Sequence, residues 1–334
     1  MSSPLLKFSR NVGDYLYTFV YFNKCLKIIQ LKLDEFSMLK TKICSIGECM
    51  IEITNTYNNN FQQSFAGDTL NFCSYLNKKN FNVDYLSSVG KSEINKDFFN
   101  LLKSKKISKK LIHIHPHNET GLYLIKNDKN GEKNFYYWRD NSAAKNYLNE
   151  LNYKKLEIIL KKYHYIYFSG ITLSIISKNK QKDFCNLIKK LKEYNVKIIF
   201  DLNIRIKRWP NKKHLNASIN LFLPFIDILF STGEDIKNWK NNDNLSFFNK
   251  LIKSNKINHA IFRKNASLNY VILDDQIYKV ANKVHKMIVD SSGAGDGYNA
   301  AYISEFLTSG DVYRSLQASH LLGSKIVMKK GAII

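Results

Sequence analysis

From residue 38 onward, the chain alternates between short apolar runs and longer stretches with apolar residues at helical spacing. The runs at residues 42–47 ("KICSIG"), 196–203 ("VKIIFDLN") and 226–232 ("IDILFST") are rich in β-branched or aromatic residues, which is typical of buried strands. Stretches such as residues 181–195 ("QKDFCNLIKKLKEYN") separate them and have the spacing of amphipathic helices. Strand and helix in alternation predict an α/β fold, with a mostly parallel sheet covered by helices on both faces.

Two segments depart from this alternation. Residues 120–140 ("TGLYLIKNDKNGEKNFYYWRD") predict a β-hairpin with an Asn-Gly turn, and we expect a small sheet, a lid, with strands from about 49–66 and 118–140. Residues 270–281 ("YVILDDQIYKVA") predict a second hairpin at the edge of the main sheet. The polar residues 55–63 ("NTYNNNFQQ") indicate a loop.

The chain is expected to hold one folded domain over residues 38–334, preceded by an extension of unknown role at residues 1–37. The apolar run at residues 15–22 is far shorter than the about 20 residues that a membrane span needs. Asp14 and the lack of a small-residue cleavage site argue against a signal peptide. The five cysteines form no CxxC pair, which favours reduced thiols in a cytoplasmic protein over a zinc site.

The chain is strongly basic, with 51 Lys and Arg against 28 Asp and Glu and a net charge of +23. One interpretation is a protein that binds nucleic acid or a membrane surface. The other is a general drift of composition toward Lys, Asn and Ile. We favour the second and expect no nucleic-acid partner, because the basic residues are dispersed and a nucleic-acid footprint is clustered. A positive surface would still attract an anionic substrate.

Residues 290–296 ("DSSGAGD") place small residues and one acid at the mouth of a helical pattern, after a β-type stretch at residues 285–290. Free N–H groups at a helix start attract an anion, so Gly293, Ala294 and Gly295 are predicted to form an anion hole together with the N–H of Asp296. The carboxylate of Asp296 would repel a phosphate unless it takes a proton from an attacking hydroxyl, which predicts a general base. A plain helix cap is the alternative, and this turn alone leaves both open.

Two segments together resemble a known family. Residues 65–76 ("FAGDTLNFCSYL") and 290–302 ("DSSGAGDGYNAAY") are similar to the N-terminal and C-terminal signatures of the ribokinase-like (PfkB) carbohydrate kinases, and the resemblance covers residues 40–334. It implies a doubly wound, mostly parallel sheet flanked by helices, with a small β-sheet lid. It also implies ATP as the phosphoryl donor, Mg²⁺ as a cofactor and Asp296 as the catalytic residue.

Further segments, among them "GECMIEI", "FYYWRDNSAA" and "IIFDLNIR", resemble one branch of that family. Members of this branch phosphorylate the sugar acid 2-dehydro-3-deoxy-D-gluconate at its 6-hydroxyl, and the resemblance implies the same reaction here. Two alternatives stay open. One is a sugar kinase for ribose, fructose or a nucleoside, and the other is a non-catalytic relative that binds sugar or nucleotide.

Arg139 and Arg205 are well suited to bind a substrate carboxylate, because each closes a predicted strand where ligands of α/β sheets sit. A guanidinium is planar, permanently charged and matched to a carboxylate. The alternative for Arg139 is a solvated surface charge, and for Tyr123 and Trp138 it is packing within the small sheet. By resemblance, the residues expected to contact the sugar are Gly67, Asp68, Asn71, Tyr123, Tyr137, Arg139, Arg205 and Asp296.

The nucleotide is expected on the other side of the 293–296 turn. By resemblance, the residues expected to contact ATP are Asn203, Arg263, Lys264, Ser267, Gly293 and Gly295. Glu234 resembles the acid of the family's Asn-x-x-Glu motif and is expected to act on Mg²⁺ through water. Ser231 replaces the Asn of that motif, which weakens the metal assignment. Members of the family often associate through their lids, so a homo-oligomer is expected here.

Overall fold

The computed structural model describes residues 40–55, 60–127, 133–282 and 288–334, so the expectations for residues 1–37 lie outside the described residues. A nine-stranded sheet has the order β13-β12-β11-β10-β9-β8-β1-β4-β5. A second, four-stranded sheet has the order β3-β2-β6-β7. The strands are β1 (Thr41–Ile46), β2 (Met50–Asn55), β3 (Phe61–Ala66), β4 (Phe81–Gly90), β5 (Ile112–His115), β6 (Gly121–Asn127), β7 (Lys133–Trp138), β8 (Tyr165–Ser169), β9 (Lys197–Asp201), β10 (Ile228–Thr232), β11 (His259–Arg263), β12 (Leu268–Leu273) and β13 (Gln276–Ala281).

Helices fill the connections between the parallel strands of the large sheet. The helices are α1 (Asp68–Tyr75), α2 (Lys96–Ser104), α3 (Ala143–Glu150), α4 (Tyr153–Leu160), α5 (Gly170–Ile175), α6 (Lys178–Glu193), α7 (Lys212–Phe222), α8 (Gly233–Lys240), α9 (Leu245–Ser254), α10 (Ala294–Ser309) and α11 (Val312–Val327). A short 3₁₀ turn, Ile206–Arg208, follows β9. The predicted α/β fold is confirmed.

Hydrophobic cores on both faces of the large sheet explain why its strands are apolar throughout. Ile166 and Phe168 of β8 pack into one core, whereas Tyr167 between them packs into the other. Successive side chains of a strand point to opposite faces, so a strand covered on both sides buries all of them. The seven strands from β11 to β5 run parallel, and the predicted edge hairpin is confirmed as the antiparallel strands β12 and β13.

The four-stranded sheet, which we call the lid, contains the predicted hairpin as the antiparallel pair β6 and β7. Strand β2 joins this pair by lying parallel to β6, and β3 pairs with β2 on the other side. One face packs Ile51 and Phe65 against a core of the large sheet, while the other packs Met50 and Ile125 with Ala332. The prediction of a loop over residues 55–63 is wrong for Asn55, which ends β2, and for residues 61–63, which belong to β3.

The carboxyl ends of the parallel strands and the starts of two helices meet at one edge of the large sheet. Helix α1 begins there at Asp68, and α10 begins at Ala294. The segment before α10 was expected to be β-type over residues 285–290. Residues 285–287 lie outside the described residues, and residues 288–290 are not a strand, because the N–H groups of Val289 and Asp290 bond to the carbonyl of Val327 at the end of α11.

Two further expectations concern cysteines and membranes. Cys44, Cys49, Cys73 and Cys185 are buried free thiols. Among the described helices, none combines the length and the apolar character that crossing a membrane requires.

Candidate active site

The turn before α10 has a shape that only glycine allows at Gly293. This residue has φ of 70°, and a Cβ there would lie 2.3 Å from the carbonyl oxygen of Ala332. Because an L side chain is disfavoured at such an angle and has no space here, Gly293 lets the C-terminal segment close against the turn. Asp290 fixes the approach to it, since its carboxylate accepts bonds from the N–H groups of Ser292 (2.9 Å) and Gly331 (3.1 Å).

The first turn of α10 presents backbone N–H groups without backbone acceptors. The helical hydrogen bonds begin with the N–H of Gly297, which bonds to Gly293, and no side chain caps the helix. The N–H of Ala294 makes a 3.3 Å bond to Ser291, whereas those of Gly295 and Asp296 have no backbone acceptor among the described residues. Together with the helix dipole, these donors make an anion site.

Asp296 does not cap its own helix. Its Oδ2 accepts a 2.7 Å hydrogen bond from the amide of Asn71 on α1, so the side chain faces the opposite helix start. Burial, and then the negative charge of Asp68, raise the pKa of the Asp296 carboxyl to about 7, against the lowering effects of Asn71, Arg205 and Arg263. A carboxyl with a pKa near the working pH is poised to accept a proton, which a plain cap does not require.

Asp68 and Gly67 hold the opposite side of the site. The carboxylate of Asp68 accepts bonds from the amide of Asn203 (2.9 Å) and from the N–H of Thr69 (2.9 Å). Gly67 has φ of 154°, and a Cβ there would lie 2.3 Å from the carbonyl oxygen of Glu48. The Asp68–Asn203 bond joins the start of α1 to the segment that follows β9. Asp68 is expected to contact the sugar and Asn203 the nucleotide, so the two expected binding segments lie in one cleft.

Buried polar residues support the floor of the cleft, and sequence reasoning missed them. Asp201, the last residue of β9, accepts a 2.9 Å hydrogen bond from Asn299 of α10. Burial and the neighbouring Asp235 raise the pKa of the Asp201 carboxyl. Asp235 itself caps α8 and accepts the N–H of Ile204 (2.7 Å), which fixes the chain between Asn203 and Arg205.

The expected nucleotide residues follow β9, β10 and β11. Arg263 ends β11, and its guanidinium lies 4.9 Å from the ring centre of Tyr298 and beside Gly295, where a Cβ would meet it at 3.2 Å. Lys264 and Ser267 lie in the following turn. Glu234 is exposed in the first turn of α8. No three acids, histidines or cysteines of the described residues are grouped as a metal site would require.

The two lid tyrosines that are expected to contact the sugar differ in their exposure to solvent. Tyr123 is buried, and its hydroxyl donates to Glu52, which also accepts a 2.9 Å bond from Ser64. Tyr137 lies across the strand pair from Tyr123 with 53% of its surface exposed. Trp138 is 59% exposed, so packing within the lid does not account for it.

Arg139 is not a solvated surface charge, because only 6% of its surface is exposed. Its Nη2 pairs with the buried carboxylate of Glu48, and Ser142 donates to the other oxygen of that carboxylate. The Nε of Arg139 has no hydrogen-bond partner among the described residues. Glu48 follows β1, so this pair joins the lid to the large sheet. Glu48 lies in the segment "GECMIEI", but nothing in the sequence pattern predicted its pairing with Arg139.

The fold and the cleft define an α/β enzyme of the sugar-kinase class, with an acid beside a helix-start anion site and a lid over the strand ends. The chain matches the profile of the "pfkB family carbohydrate kinase" over residues 40–334, and it belongs to that family. It is therefore a carbohydrate kinase, and this family uses ATP with Mg²⁺.

Curated relatives share most of their length with this chain. It is 30% identical to a 2-dehydro-3-deoxygluconokinase of Haemophilus influenzae, over 88% of this chain and 95% of that protein. A protein of the same name from Dickeya dadantii is 28% identical, over 89% and 98%. The crystal structure of 2-dehydro-3-deoxygluconokinase from Thermotoga maritima superposes with a TM-score of 0.76 at 19% identity, over 88% of this chain and 95% of that one, which shows the shared fold.

Proposed function

We propose that this chain phosphorylates 2-dehydro-3-deoxy-D-gluconate at its 6-hydroxyl, with ATP as the donor. The observation that carries the proposal is Asp296. It lies half-buried at the start of α10, where burial and Asp68 raise its pKa to about 7, and it stands beside the N–H groups of Gly295 and Asp296, which have no backbone acceptor in the described part of the chain. The names of the curated relatives support this choice of sugar acid.

The proposed reaction is an in-line displacement at the terminal phosphorus of ATP. The hydroxyl oxygen of the sugar forms a bond to phosphorus as the bond from phosphorus to the bridging oxygen of ADP breaks, and the hydroxyl proton passes to Asp296. Backbone N–H groups of the first turn of α10 stabilise the charge on the transferred group. Asn71 holds Oδ2 of Asp296, which leaves Oδ1 for the proton.

The sugar lies between α1 and the lid in this proposal. Gly67, Asp68 and Asn71 contact its hydroxyls, and Tyr137 covers it from the lid. Arg139 offers its free Nε to the carboxylate while Glu48 holds its Nη2. Tyr123 acts by filling the lid behind Tyr137, because its own hydroxyl is already bonded to Glu52.

The nucleotide lies on the Arg263 side of the turn. The residues assigned to it are Asn203, Arg263, Lys264, Ser267 and the glycines at 293 and 295. Arg263 fits an anion, since its half-buried guanidinium makes no ion pair with a described residue and its Nε has no partner. Mg²⁺ would neutralise charge on the phosphates. Because Mg²⁺ usually keeps several bound waters, an exposed acid such as Glu234 would act on it through water rather than as part of a set of direct protein ligands.

The test is ATP consumption by the purified full chain with a panel of acceptors. The panel comprises 2-dehydro-3-deoxy-D-gluconate, D-gluconate, ribose, fructose and adenosine, with the Asp296→Asn variant as the control for contaminating kinases. We expect the first compound to have the highest kcat/KM. A higher value for a neutral sugar would replace the proposed substrate, and consumption with none of them would favour a non-catalytic relative.

The lid also supports the proposal of a homo-oligomer. Its last strand, β7, is an open sheet edge, and Tyr136 (49% exposed) and Trp138 (59%) leave large apolar surfaces in solvent. We propose that a second copy of this chain covers them. Light scattering should give a dimer or larger that Trp138→Ser weakens, while Ile158→Ser, at an equally exposed site on α4, leaves it intact. A monomeric wild type would contradict this.

A further inference from the structure

Tyr75, the last residue of α1, is bonded to a segment more than 250 positions away in the chain. Its hydroxyl donates a 2.8 Å hydrogen bond to the carbonyl oxygen of Ala332 and accepts a 3.1 Å bond from the N–H of Ile334. Burial raises the pKa of the Tyr75 hydroxyl to about 12, so the group keeps its proton and donates it at neutral pH. The proposed reaction gives this hydroxyl no role, so its two bonds need their own explanation.

The segment that Tyr75 holds, residues 331–334, lies against the turn before α10. It belongs to no helix or strand. Ala332 is buried, and its carbonyl oxygen occupies the space that a Cβ of Gly293 would need. The N–H of Gly331 bonds to the carboxylate of Asp290 at the start of the turn (3.1 Å). Segment 331–334 therefore supports the turn at two points.

The ring of Tyr75 makes a second contact, with α10 itself. A Cβ on Gly297 would lie 3.3 Å from Cδ2 of this ring, so the ring packs against the first turn of the helix. Asn71 lies four residues earlier on the same face of α1, and it holds Oδ2 of Asp296. One face of α1 therefore fixes the acid through Asn71 and the backbone of the turn through Tyr75.

The turn needs such support because of its composition. Backbone donors stabilise a developing charge most when they are already in place and need not reorganise during the reaction. Glycine allows a wide range of backbone angles, so the glycines at 293 and 295 leave the turn easy to deform. Lys105, after α2, also donates a 2.7 Å bond to the backbone oxygen of Ile334, whereas Tyr75 joins segment 331–334 to α1.

We propose that Tyr75 is a positioning residue of the phosphoryl-transfer site, which holds segment 331–334 against the turn and so fixes the N–H groups of Gly295 and Asp296. The inference rests on the proposed function and extends it from the acid to the backbone donors. These donors act on charge that develops in the transition state. Losing their support should therefore lower kcat and leave KM for the sugar nearly unchanged.

The test compares Tyr75→Phe with Tyr153→Phe in the full chain, using ATP and the acceptor that the wild type phosphorylates fastest. Both changes remove one hydroxyl and keep the ring. The hydroxyl of Tyr153 donates a bond of the same length, 2.8 Å, to the backbone oxygen of Leu148, which makes this variant the matched control. Misplaced donors predict that Tyr75→Phe lowers kcat roughly tenfold, with KM for the acceptor within about twofold of the wild type. Its acid limb should stay in place because Asn71 still holds Asp296, and Tyr153→Phe should keep the wild-type kcat.

Thermal unfolding of both variants separates positioning from a structural role. Each loses a hydrogen bond from a hydroxyl to a backbone oxygen, so both should lose a similar, small amount of stability. An unchanged kcat in Tyr75→Phe, equal falls of kcat in the two variants, or a loss confined to KM for the acceptor would overturn the inference. A wild type that phosphorylates no acceptor of the panel would instead overturn the proposed function, so the two failures are distinguishable.

Discussion

The amide of Asn71 donates a 2.7 Å hydrogen bond to Oδ2 of Asp296, although the two residues are 225 positions apart in the chain. This bond joins the first turns of α1 and α10, which carry the two signatures of the family. It turns Asp296 away from its own helix and fixes which oxygen faces the cleft. The bond also stabilises the charged carboxylate and so opposes the burial that raises its pKa.

Replacing Asn71 by Ala should therefore affect both the position and the pKa of Asp296. We expect kcat to fall roughly tenfold because the proton acceptor loses its orientation. The acid limb of the pH–kcat profile should move to higher pH, because a hydrogen bond that lowers the pKa is gone. Ser74→Ala is the control, since Ser74 lies one turn further along α1 and bonds only to Leu70 within its helix. A profile that keeps its position would contradict the assigned contact.

The wild-type pH profile follows from the pKa of about 7 at Asp296. Below this value the carboxyl is protonated and cannot accept a proton, so kcat should fall as the pH drops through 7. Asp68→Asn removes the negative charge that helps to raise the pKa, so its acid limb should lie at lower pH. Its KM for the sugar should rise as well, because Asp68 is assigned to the sugar hydroxyls. An acid limb of Asp68→Asn that lies at higher pH than that of the wild type would show that the charge of Asp68 does not raise the pKa of Asp296.

Glu48→Gln tests the buried pair that joins the lid to the large sheet. Breaking a buried ion pair by removing one partner costs about 3–5 kcal/mol of stability, because the other charge stays buried. KM for the sugar acid should also rise, since Arg139 loses its support. Glu93→Gln is the matched control, because its ion pair with Lys96 is exposed and such pairs contribute about 1 kcal/mol or less. Denaturant unfolding would measure the stability of both variants, and equal losses of stability in Glu48→Gln and Glu93→Gln would contradict the role of Glu48.

His259 makes the stability of the fold depend on pH. It is buried beside Tyr302, with 2.8 Å between its Nε2 and the tyrosine hydroxyl, and burial lowers its pKa to about 4. Because the unfolded side chain binds a proton near pH 6.5, the unfolded state gains protons first, and stability should fall between about pH 6.5 and 4. The loss is on the order of 3 kcal/mol from this residue. His259→Gln should flatten that part of the curve, and an unchanged slope would assign the loss to other groups.

The fold was predictable because apolar periodicity reports burial, and the buried strands of a parallel sheet leave a continuous apolar run. The helix start at Asp296 was predictable because small residues and an acid are typical of that position, but this turn alone did not distinguish an anion site from a plain helix cap. The short strand β5 was not predicted because His113 and His115 interrupt its apolar pattern. The β-type prediction is wrong for residues 288–290, where hydrogen bonds from Val289 and Asp290 to Val327 replace strand pairing.

The partners of the site residues were not predictable. Arg139 and Glu48 are 91 positions apart, and nothing in either local pattern indicates the other. Sequence patterns give the residue types that chemistry needs, but long-range pairing of charges depends on tertiary packing.

The most direct test of the account is the turnover of Asp296→Asn with 2-dehydro-3-deoxy-D-gluconate and ATP. Asn has nearly the same shape and can still accept the hydrogen bond from Asn71, so the protein should fold and bind ATP as the wild type does. General base catalysis contributes roughly 10²–10⁴-fold, and kcat should fall by that factor. Turnover at the wild-type rate would contradict the central claim that Asp296 takes the proton of the attacking hydroxyl.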